Sequence, residues 1–200
     1  MIKHPYFEDS LTQIYHGDCL DMSELPDESA HICITSPPYW SKRKYSGEQE
    51  LVWGGDEKCQ HSWGDAIKIH KGGPQRASAS VDNYMPEAVG TNYQLGCFCL
   101  LCGAWRGSLG LEPTPELFIA HLVEIFREVR RVLRKDGTAY INIGDTMHGG
   151  HRKSNPMNMK SKGSEMAYAP SRDLDSDTIK PLDRVGIPEM LVLALRADGW

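Results

Sequence analysis

The sequence has no long hydrophobic segment. None of its apolar runs approaches the roughly 20 residues that a helix needs to cross a bilayer, so we expect no membrane role. Its first ten residues, MIKHPYFEDS, also lack the apolar centre of a signal peptide, which favours a cytoplasmic location. The 200 residues are 40% apolar and 24% charged, a mixture typical of a soluble globular protein.

The sequence also lacks an excess of positive charge. Its formal net charge of −5 argues against a protein that binds nucleic acid through a wholly basic surface, although a local basic face is compatible with it. The run Lys42, Arg43 and Lys44 is a candidate for such a face, but runs of this kind are usually solvated loops. In a reducing cytoplasm the six cysteines indicate thiols or metal ligands more than disulfides.

The first 40 residues contain two candidate strands. Residues 11–16 alternate between apolar and polar side chains, and residues 19–25 then predict a short helix that ends at Pro26. Ala30–Thr35 is apolar at successive positions, which suits the interior of a parallel sheet covered on both faces.

Regular periodicity returns near residue 114. Thr114 can cap a helix whose first residue is Pro115, and apolar residues then recur at three- and four-residue spacing until Lys135-Asp136-Gly137. Residues 138–143 predict a strand that ends in Gly144-Asp145, and residues 187–198 predict a second helix.

A helix, a glycine stop and a strand form the second half of a β-α-β crossover. The fold class is therefore α/β, with a doubly wound parallel sheet whose ligands bind at the carboxyl ends of the strands. Residues 41–113 are rich in Gly, Ser, Lys and Asn and have no sustained periodicity, so we interpret them as an insertion outside the core. The predicted domain organisation is 1–40, 41–113 and 114–200.

The segment Ser36-Pro37-Pro38-Tyr39 directly follows the second strand. Each proline fixes its own φ and lacks an N–H, which holds Ser36 and Pro37 extended and leaves their carbonyls without strand partners. Rigid acceptors beside an aromatic ring predict a site for a flat group that donates hydrogen bonds. The alternative is an exit turn in which Tyr39 and Trp40 cover the core.

The insertion contains two short pairs of metal-binding side chains. Such pairs, separated by a long loop, are typical of a tetrahedral structural zinc site, and the glycine at 103 permits the turn that these knuckles need. The four candidate ligands are Cys59, His61, Cys99 and Cys102. Cys97 competes with Cys99 as a ligand, and simple packing of free cysteines is the alternative. Cys19 and Cys33 are interpreted as core thiols.

Four blocks of the sequence, in this order, resemble the permuted (β) class of amino-group DNA methyltransferases, particularly its phage and restriction-modification members. The blocks are residues 16–22 (HGDCLDM), 35–40 (TSPPYW), 124–145 (EIFREVRRVLRKDGTAYINIGD) and 185–200 (VGIPEMLVLALRADGW). The resemblance covers about two-thirds of the chain. It implies a Rossmann-like sheet, S-adenosylmethionine as cofactor, DNA as partner, and methyl transfer to the exocyclic amine of a flipped base.

The resemblance also implies roles for individual residues. The Ser36 hydroxyl and the Pro37 carbonyl would accept the two amine hydrogens, Pro38 would keep the loop rigid, and Tyr39 would stack on the base. Cofactor contacts are implied for Asp18 and Thr35, base-pocket or DNA contacts for Trp40 and Asp145, and phosphate contacts for Lys42, Arg43 and Lys44. Trp40 could equally be packing, and Asp18 could equally form a turn or cap a helix.

The chain also departs from this family. It lacks the Phe-x-Gly-x-Gly loop that wraps the methionine end of the cofactor, and it lacks a target-recognition segment. We therefore expect a truncated or split product that binds S-adenosylmethionine weakly or not at all alone, with a missing C-terminal segment or a companion chain as partner.

The resemblance implies cytosine N4 as the favoured target, because serine before Pro-Pro-Tyr is commoner among cytosine N4 enzymes, with adenine N6 as the close alternative. Two further alternatives are a non-catalytic, zinc-containing nucleic-acid-binding fragment and a protein-glutamine methyltransferase. Ser36 and the zinc insertion weigh against the last of these.

Overall fold

The computed structural model describes residues 4–41, 50–70, 92–94, 96–147, 179–180 and 183–200. The strands are β1 (Phe7–Glu8), β2 (Gln13–Ile14), β3 (Ala30–Thr35), β4 (Leu51–Trp53), β5 (Lys68–His70), β6 (Asn92–Gln94), β7 (Cys97–Phe98), β8 (Trp105–Gly107) and β9 (Leu133–Ile141). The helices are α1 (Pro115–Val132) and α2 (Ile187–Ala197). No helix within these ranges is both long enough and apolar enough to span a bilayer.

Strands β3 and β9 form a parallel pair, which confirms the predicted strand at 30–35 and its parallel pairing. The register joins Ala30 to Leu133 and then Ile32 to Thr138, so residues 134–137 bulge out of β9. Helix α1 consequently ends at Val132, and the predicted stop at 135–137 lies inside this bulge. The predicted strand 138–143 was therefore placed too late at both ends.

Helix α1 begins where the sequence predicts. The Thr114 hydroxyl accepts a hydrogen bond from the Leu117 N–H at 3.2 Å, and Pro115 occupies the first turn. The apolar stripe of α1 packs on β3, β9 and α2 in one core, to which α2 contributes Ile187, Leu191 and Leu195. The predicted second helix is confirmed.

One face of the parallel pair is open in the described part of the chain. Cys33, Ala139 and Ile141 pack against the α1 core, whereas Ile34 on the opposite face is 81% exposed and its neighbour Tyr140 is 59% exposed. Coverage of both faces, which the apolar sequence of β3 predicts, is therefore not found among the described residues.

The amino-terminal predictions are largely wrong. Only β2 forms within residues 11–16, and it pairs antiparallel with β1 instead of joining β3. Residues 19–25 form turns, because the carboxylates of Asp18 and Asp21 accept bonds from the backbone N–H groups of Leu20 and Ser23. Short acidic side chains that bond their own backbone compete with helix formation.

The described part of residues 41–113 contributes to the core, contrary to the sequence interpretation. Strands β4, β8 and β7 form an antiparallel sheet in that order, and β5 pairs with β6. Trp53 of β4 and Trp105 of β8 are buried in the same apolar cluster as α1. These strands are only two or three residues long, too short for a periodic pattern to be visible in the sequence.

Candidate active site and metal centre

Residues 36–41, here called the proline loop, lie at the carboxyl end of β3. The Asn142 N–H donates to the Thr35 carbonyl at 2.9 Å, so the chain after β9 runs beside the start of this loop. Ser36 is exposed, whereas Pro37, Pro38 and Tyr39 are half-buried. The two strand ends therefore bring the proline loop and the segment around Gly144 to the same edge of the sheet, as the parallel topology predicts.

Two glycines lie against the proline loop. A Cβ atom on Gly144 would lie 2.8 Å from the Tyr39 ring carbons Cδ2 and Cε2, so the ring rests directly on the backbone at residue 144. On the other side, Gly110 has a φ of +88°, and its added Cβ would lie 3.2 Å from the Pro38 Cβ. The Ser41 N–H also donates to the Gly110 carbonyl at 2.8 Å. The Tyr39 ring and the Pro38 backbone are thus fixed by close packing on glycine.

Trp40 is a core residue. Its side chain is buried, its indole N–H donates to the Glu112 carbonyl at 3.0 Å, and its own carbonyl accepts from the Thr146 hydroxyl at 3.4 Å. This burial favours the packing role over contact with a base or DNA. Lys42, Arg43 and Lys44, for which phosphate contacts are predicted, lie outside the described residues.

Asp145 fixes the start of helix α2. Its Oδ1 accepts from the N–H groups of Gly186 at 3.0 Å and Ile187 at 3.1 Å, and its Oδ2 accepts from Arg184 Nε at 2.8 Å. Partial burial alone would raise the pKa of the Asp145 carboxyl, but these N–H donors, that of Thr146 and the Arg184 guanidinium outweigh it and lower the pKa. Gly186 has no side chain to cap α2, so Asp145 supplies the cap from another segment.

The two predicted cofactor-binding residues are Asp18 and Thr35. Asp18 Oδ1 accepts from the Leu20 N–H at 3.0 Å, which is the turn-forming role that the sequence left open. Thr35 is the last residue of β3, half-buried beside Ser36. Their contact with a cofactor stays a prediction.

The structure brings the four predicted metal ligands together. The ligand atoms of Cys59, His61, Cys99 and Cys102 all lie within 4.8 Å of one another. The Cys59 and Cys99 sulfurs are 3.9 Å apart, and the Cys102 sulfur is 3.4 Å from His61 Nδ1. Tetrahedral zinc, with bonds of about 2.3 Å to sulfur and about 2.0 Å to nitrogen, places such atoms about 3.5–3.8 Å apart. The donor set and its spacing therefore fit one zinc ion.

Local turns assemble this cluster. The Cys99 N–H donates to the Ala104 carbonyl at 2.7 Å and the Gly103 N–H to the Cys99 carbonyl at 3.0 Å, with Gly103 at a φ of +75°. The predicted knuckle glycine thus adopts the left-handed conformation. Cys97 is buried in β7 and is not a member of the cluster, which decides the competition in favour of Cys99.

The cluster sulfurs differ in their electrostatics. Burial would raise the pKa of the Cys99 thiol, but the N–H groups of Cys102 and Leu101 together with His61 outweigh it and lower the pKa to about 6. Burial and the neighbouring sulfurs of Cys102 and Cys99 raise the pKa of the Cys59 thiol to about 12. The cluster thus offers soft sulfur donors of unequal acidity, a set suited to zinc. Outside the cluster, Cys33 is half-buried in β3, whereas Cys19 is exposed, so its prediction as a core thiol is wrong.

Two residues beside the proline loop were not predicted. Glu112 and His121 are both buried, and Glu112 Oε1 lies 3.0 Å from His121 Nδ1. In the sequence, Glu112 falls in the apparent insertion and His121 lies nine residues later on an apolar helix face. A single histidine on such a face gives no signal of its own, because its partner is defined only by the fold.

The sequence is similar to known methyltransferases. It is 33% identical over 158 residues to the Type II methyltransferase M.SmaI of Serratia marcescens, covering 79% of this chain and 52% of that protein. It is 29% identical to M.Cfr9I of Citrobacter freundii and 28% identical to M.XycI of Xanthomonas campestris pv. cyanopsidis, each over 188 residues that cover 94% of this chain and 42% of the relative. The chain thus spans about half of the length of these relatives, or less.

No solved structure gives a significant match. The profile of a family described as DNA methylase, N6_N4_Mtase, matches residues 30–178, about three quarters of the chain. The match begins at the first residue of β3 and includes the proline loop, the four clustered metal-binding side chains and both strands of the parallel pair. The chain therefore belongs to the N6_N4_Mtase family of DNA methylases.

Proposed function

We propose that this chain carries the catalytic loop of an S-adenosylmethionine-dependent methyltransferase that acts on the exocyclic amine of a flipped DNA base. Family membership supports the reaction, and the relatives are themselves named Type II methyltransferases. The observation that carries the proposal is the exposure and packing of the proline loop. Ser36 is exposed at the carboxyl end of a parallel strand, while Tyr39 behind it is held against Gly144.

The proline loop suits the chemistry of a base amine. The nitrogen lone pair is delocalised into the ring, so the free amine is a poor nucleophile. The Ser36 hydroxyl oxygen and the Pro37 carbonyl would accept its two hydrogens and draw the nitrogen toward a tetrahedral geometry that exposes the lone pair. S-adenosylmethionine, which Asp18 and Thr35 are predicted to contact, would supply the methyl group, and the amine would release one proton to solvent. The loop thus contributes positioning and electrostatics in place of a strong base.

Tyr39 is proposed to hold the base once it leaves the duplex. Enzymes that modify a base in duplex DNA turn it out of the stack and bind it between aromatic or apolar side chains. A ring fixed on Gly144 offers such a face at the same sheet edge as Ser36. Stacking of this kind contributes about 1–3 kcal/mol per base.

Cytosine N4 is the proposed target, with adenine N6 as the alternative. The resemblance associates an aspartate at this position with adenine enzymes, whereas this chain has the neutral acceptor Ser36. Hydrogen bonds to a charged acceptor such as aspartate are roughly twice as strong as those to a neutral one. Mass spectrometry of nucleosides from DNA treated with the full-length protein decides between them. We expect N4-methylcytosine, and N6-methyladenine as the sole product would contradict the assignment.

Ser36→Ala tests the mechanism. Removing the hydroxyl should slow methyl transfer by about a hundredfold, as the loss of one preorganised polar contact does in other enzymes. Ser29→Ala is the matched control, because Ser29 directly precedes β3 at the opposite end of the strand and its hydroxyl donates to the nearby Pro26 carbonyl at 2.7 Å. Full activity of Ser36→Ala would refute the proposed role. Zinc and DNA binding without any methylated product would instead favour the non-catalytic alternative.

We infer that the four clustered side chains hold a structural zinc ion. The sulfur and nitrogen spacings match a tetrahedral site, and all four positions are filled by protein donors, as in structural sites. The ion would join the turn at Cys59 and His61 to the β7–β8 hairpin, so chelation should loosen this region.

Elemental analysis tests the inference directly. Protein prepared under reducing conditions should contain about one zinc ion per chain, following the closed four-ligand geometry of structural sites. Cys102→Ser should lose the metal, whereas Cys19→Ser, which changes an exposed thiol outside the cluster, should keep it. Absence of zinc from the unmodified chain would refute the site.

A further inference from the structure

The buried pair of Glu112 and His121 adjoins the proline loop but takes no part in the proposed chemistry. Glu112 is 0% exposed and His121 is 5% exposed, and Oε1 lies 3.0 Å from Nδ1. Burying polar groups carries a desolvation cost that their mutual hydrogen bond does not always offset. Burial alone therefore does not make the pair a source of stability, so its contacts are the better guide to its role.

The imidazole of His121 is held between two indoles. Its centroid lies 4.4 Å from that of Trp53 with an interplanar angle of 21°, and 5.3 Å from that of Trp105 with an angle of 22°. Both tryptophans are buried, and the Trp53 indole N–H donates to the Gly107 carbonyl at 3.3 Å. Stacking on both sides fixes the plane of the ring, and with it the direction in which Nδ1 meets the carboxylate.

Glu112 connects this ring to the proline loop. Its Oε2 accepts from the Gly110 N–H at 2.8 Å, and the Gly110 carbonyl accepts from the Ser41 N–H at 2.8 Å. The backbone carbonyl of Glu112 accepts from the Trp40 indole at 3.0 Å. Glu112 therefore supports both hydrogen bonds that anchor the end of the proline loop, directly at Trp40 and through Gly110 at Ser41. Gly110 also packs on Pro38.

We propose that Glu112 and His121 are positioning residues that fix the proline loop for methyl transfer. The reaction they would serve rests on the proposed function. Ser36 is exposed and Tyr39 is half-buried. Their positions therefore depend on the buried residues that hold the proline loop. A displacement of about 1 Å in a reacting group can cost about a hundredfold in rate, so a rigid anchor has a direct effect on kcat.

Two substitutions change the hydrogen bonding between Glu112 and His121 while they keep the packing around it. His121→Phe keeps an aromatic ring between Trp53 and Trp105 but removes the hydrogen-bonding partner of Glu112. Glu112→Gln keeps the shape and one acceptor oxygen but replaces the other oxygen with an amide group. Glu124→Gln is the control, because it makes the same Glu-to-Gln change at an exposed position of α1, the helix that contains His121.

Hydrogen exchange followed by NMR measures how firmly Glu112 and His121 hold the proline loop. It can be done on the 200-residue chain and requires no enzymatic activity. We expect His121→Phe to speed exchange of the Ser41 amide and the Trp40 indole N–H by about tenfold or more, because both donate to the segment that Glu112 holds. Amides in the middle of α1, such as Phe126, should exchange at the wild-type rate. Glu112→Gln should give a smaller local change, and Glu124→Gln none.

Steady-state kinetics of the full-length protein completes the test. Both anchor variants should lower kcat by about tenfold or more with little change in KM for S-adenosylmethionine, the pattern of a lost transition-state contact. Unchanged exchange at Ser41 and Trp40 would overturn the proposal, as would an equal increase at every amide or a local increase with normal kcat. If the wild-type protein methylates no DNA while the local exchange effect is present, the proposed function is wrong, but Glu112 and His121 still fix the loop.

Discussion

Gly144→Ala tests whether the position of the Tyr39 ring matters. The added methyl group would lie 2.8 Å from Cδ2 and Cε2 of the ring, and carbon atoms in favourable contact are about 3.5–4.0 Å apart. The ring must therefore move by about 1 Å. Gly144 does not have a positive φ, so alanine adds this contact without straining the backbone.

The expected magnitudes differ for stability and activity. Overpacking in a well-filled site costs about 1–3 kcal/mol, and the half-buried ring at residue 39 has room to turn toward solvent, so we expect the lower end. The rate of methyl transfer should fall by about a hundredfold, because the ring would no longer lie where the proposed function places the flipped base. Transfer of labelled methyl groups from S-adenosylmethionine to DNA measures the rate, and chemical denaturation measures the stability.

Two controls make this result interpretable. Gly54 has open space around it but a φ of +63°, so Gly54→Ala should lose about 1–2 kcal/mol of stability through backbone strain alone and leave the rate unchanged. In a Tyr39→Ala background the Gly144 substitution should have no further effect, because its contact is gone. A Gly144→Ala rate within about twofold of wild type would refute the reasoning, given the hundredfold expected from misplacement.

Three further predictions follow from individual contacts. Asp145→Asn should lower the free energy of unfolding by about 1–2 kcal/mol at pH 7. Because the folded-state pKa is lowered, the wild-type advantage should be complete above the ordinary aspartate pKa and vanish as the pH falls through the lowered value, which urea titrations at several pH values measure. Thr114→Ala should remove the cap of α1 and cost about 1 kcal/mol in the same assay, whereas Thr114→Ser should not. Trp40→Phe should cost about 1–3 kcal/mol, because the buried Glu112 carbonyl loses its indole donor; an unchanged denaturation midpoint would contradict that bond.

The sequence predicts best those features that are encoded by neighbouring residues. Thr114-Pro115 gives the start of α1, and successive apolar residues give β3. The end of α1 was misplaced because Gly137 serves a bulge in β9, where an added Cβ would meet the Arg134 and His31 carbonyls. A glycine required by close packing looks the same in sequence as a helix stop.

Features encoded by distant residues were only partly predictable. The clustered set of Cys59, His61, Cys99 and Cys102 was predictable because each pair is local and chemically distinctive, although Cys59 and Cys99 are 40 residues apart. The cap that Asp145 provides for α2 and the contact between Glu112 and His121 were missed. Neither aspartate nor histidine carries a local signal for a partner that only the tertiary fold supplies.

The burial of three indoles has an optical consequence. Trp40, Trp53 and Trp105 are at most 3% exposed and lie in one core cluster, whereas Trp63 is half-buried and Trp200, just after α2, is 37% exposed. Intrinsic fluorescence of the folded chain should therefore be dominated by a blue-shifted component from the junction of α1 with the β4–β8–β7 sheet. Loss of that component on denaturation reports when this junction opens, and it gives little information on the parallel pair, whose strands contain no tryptophan.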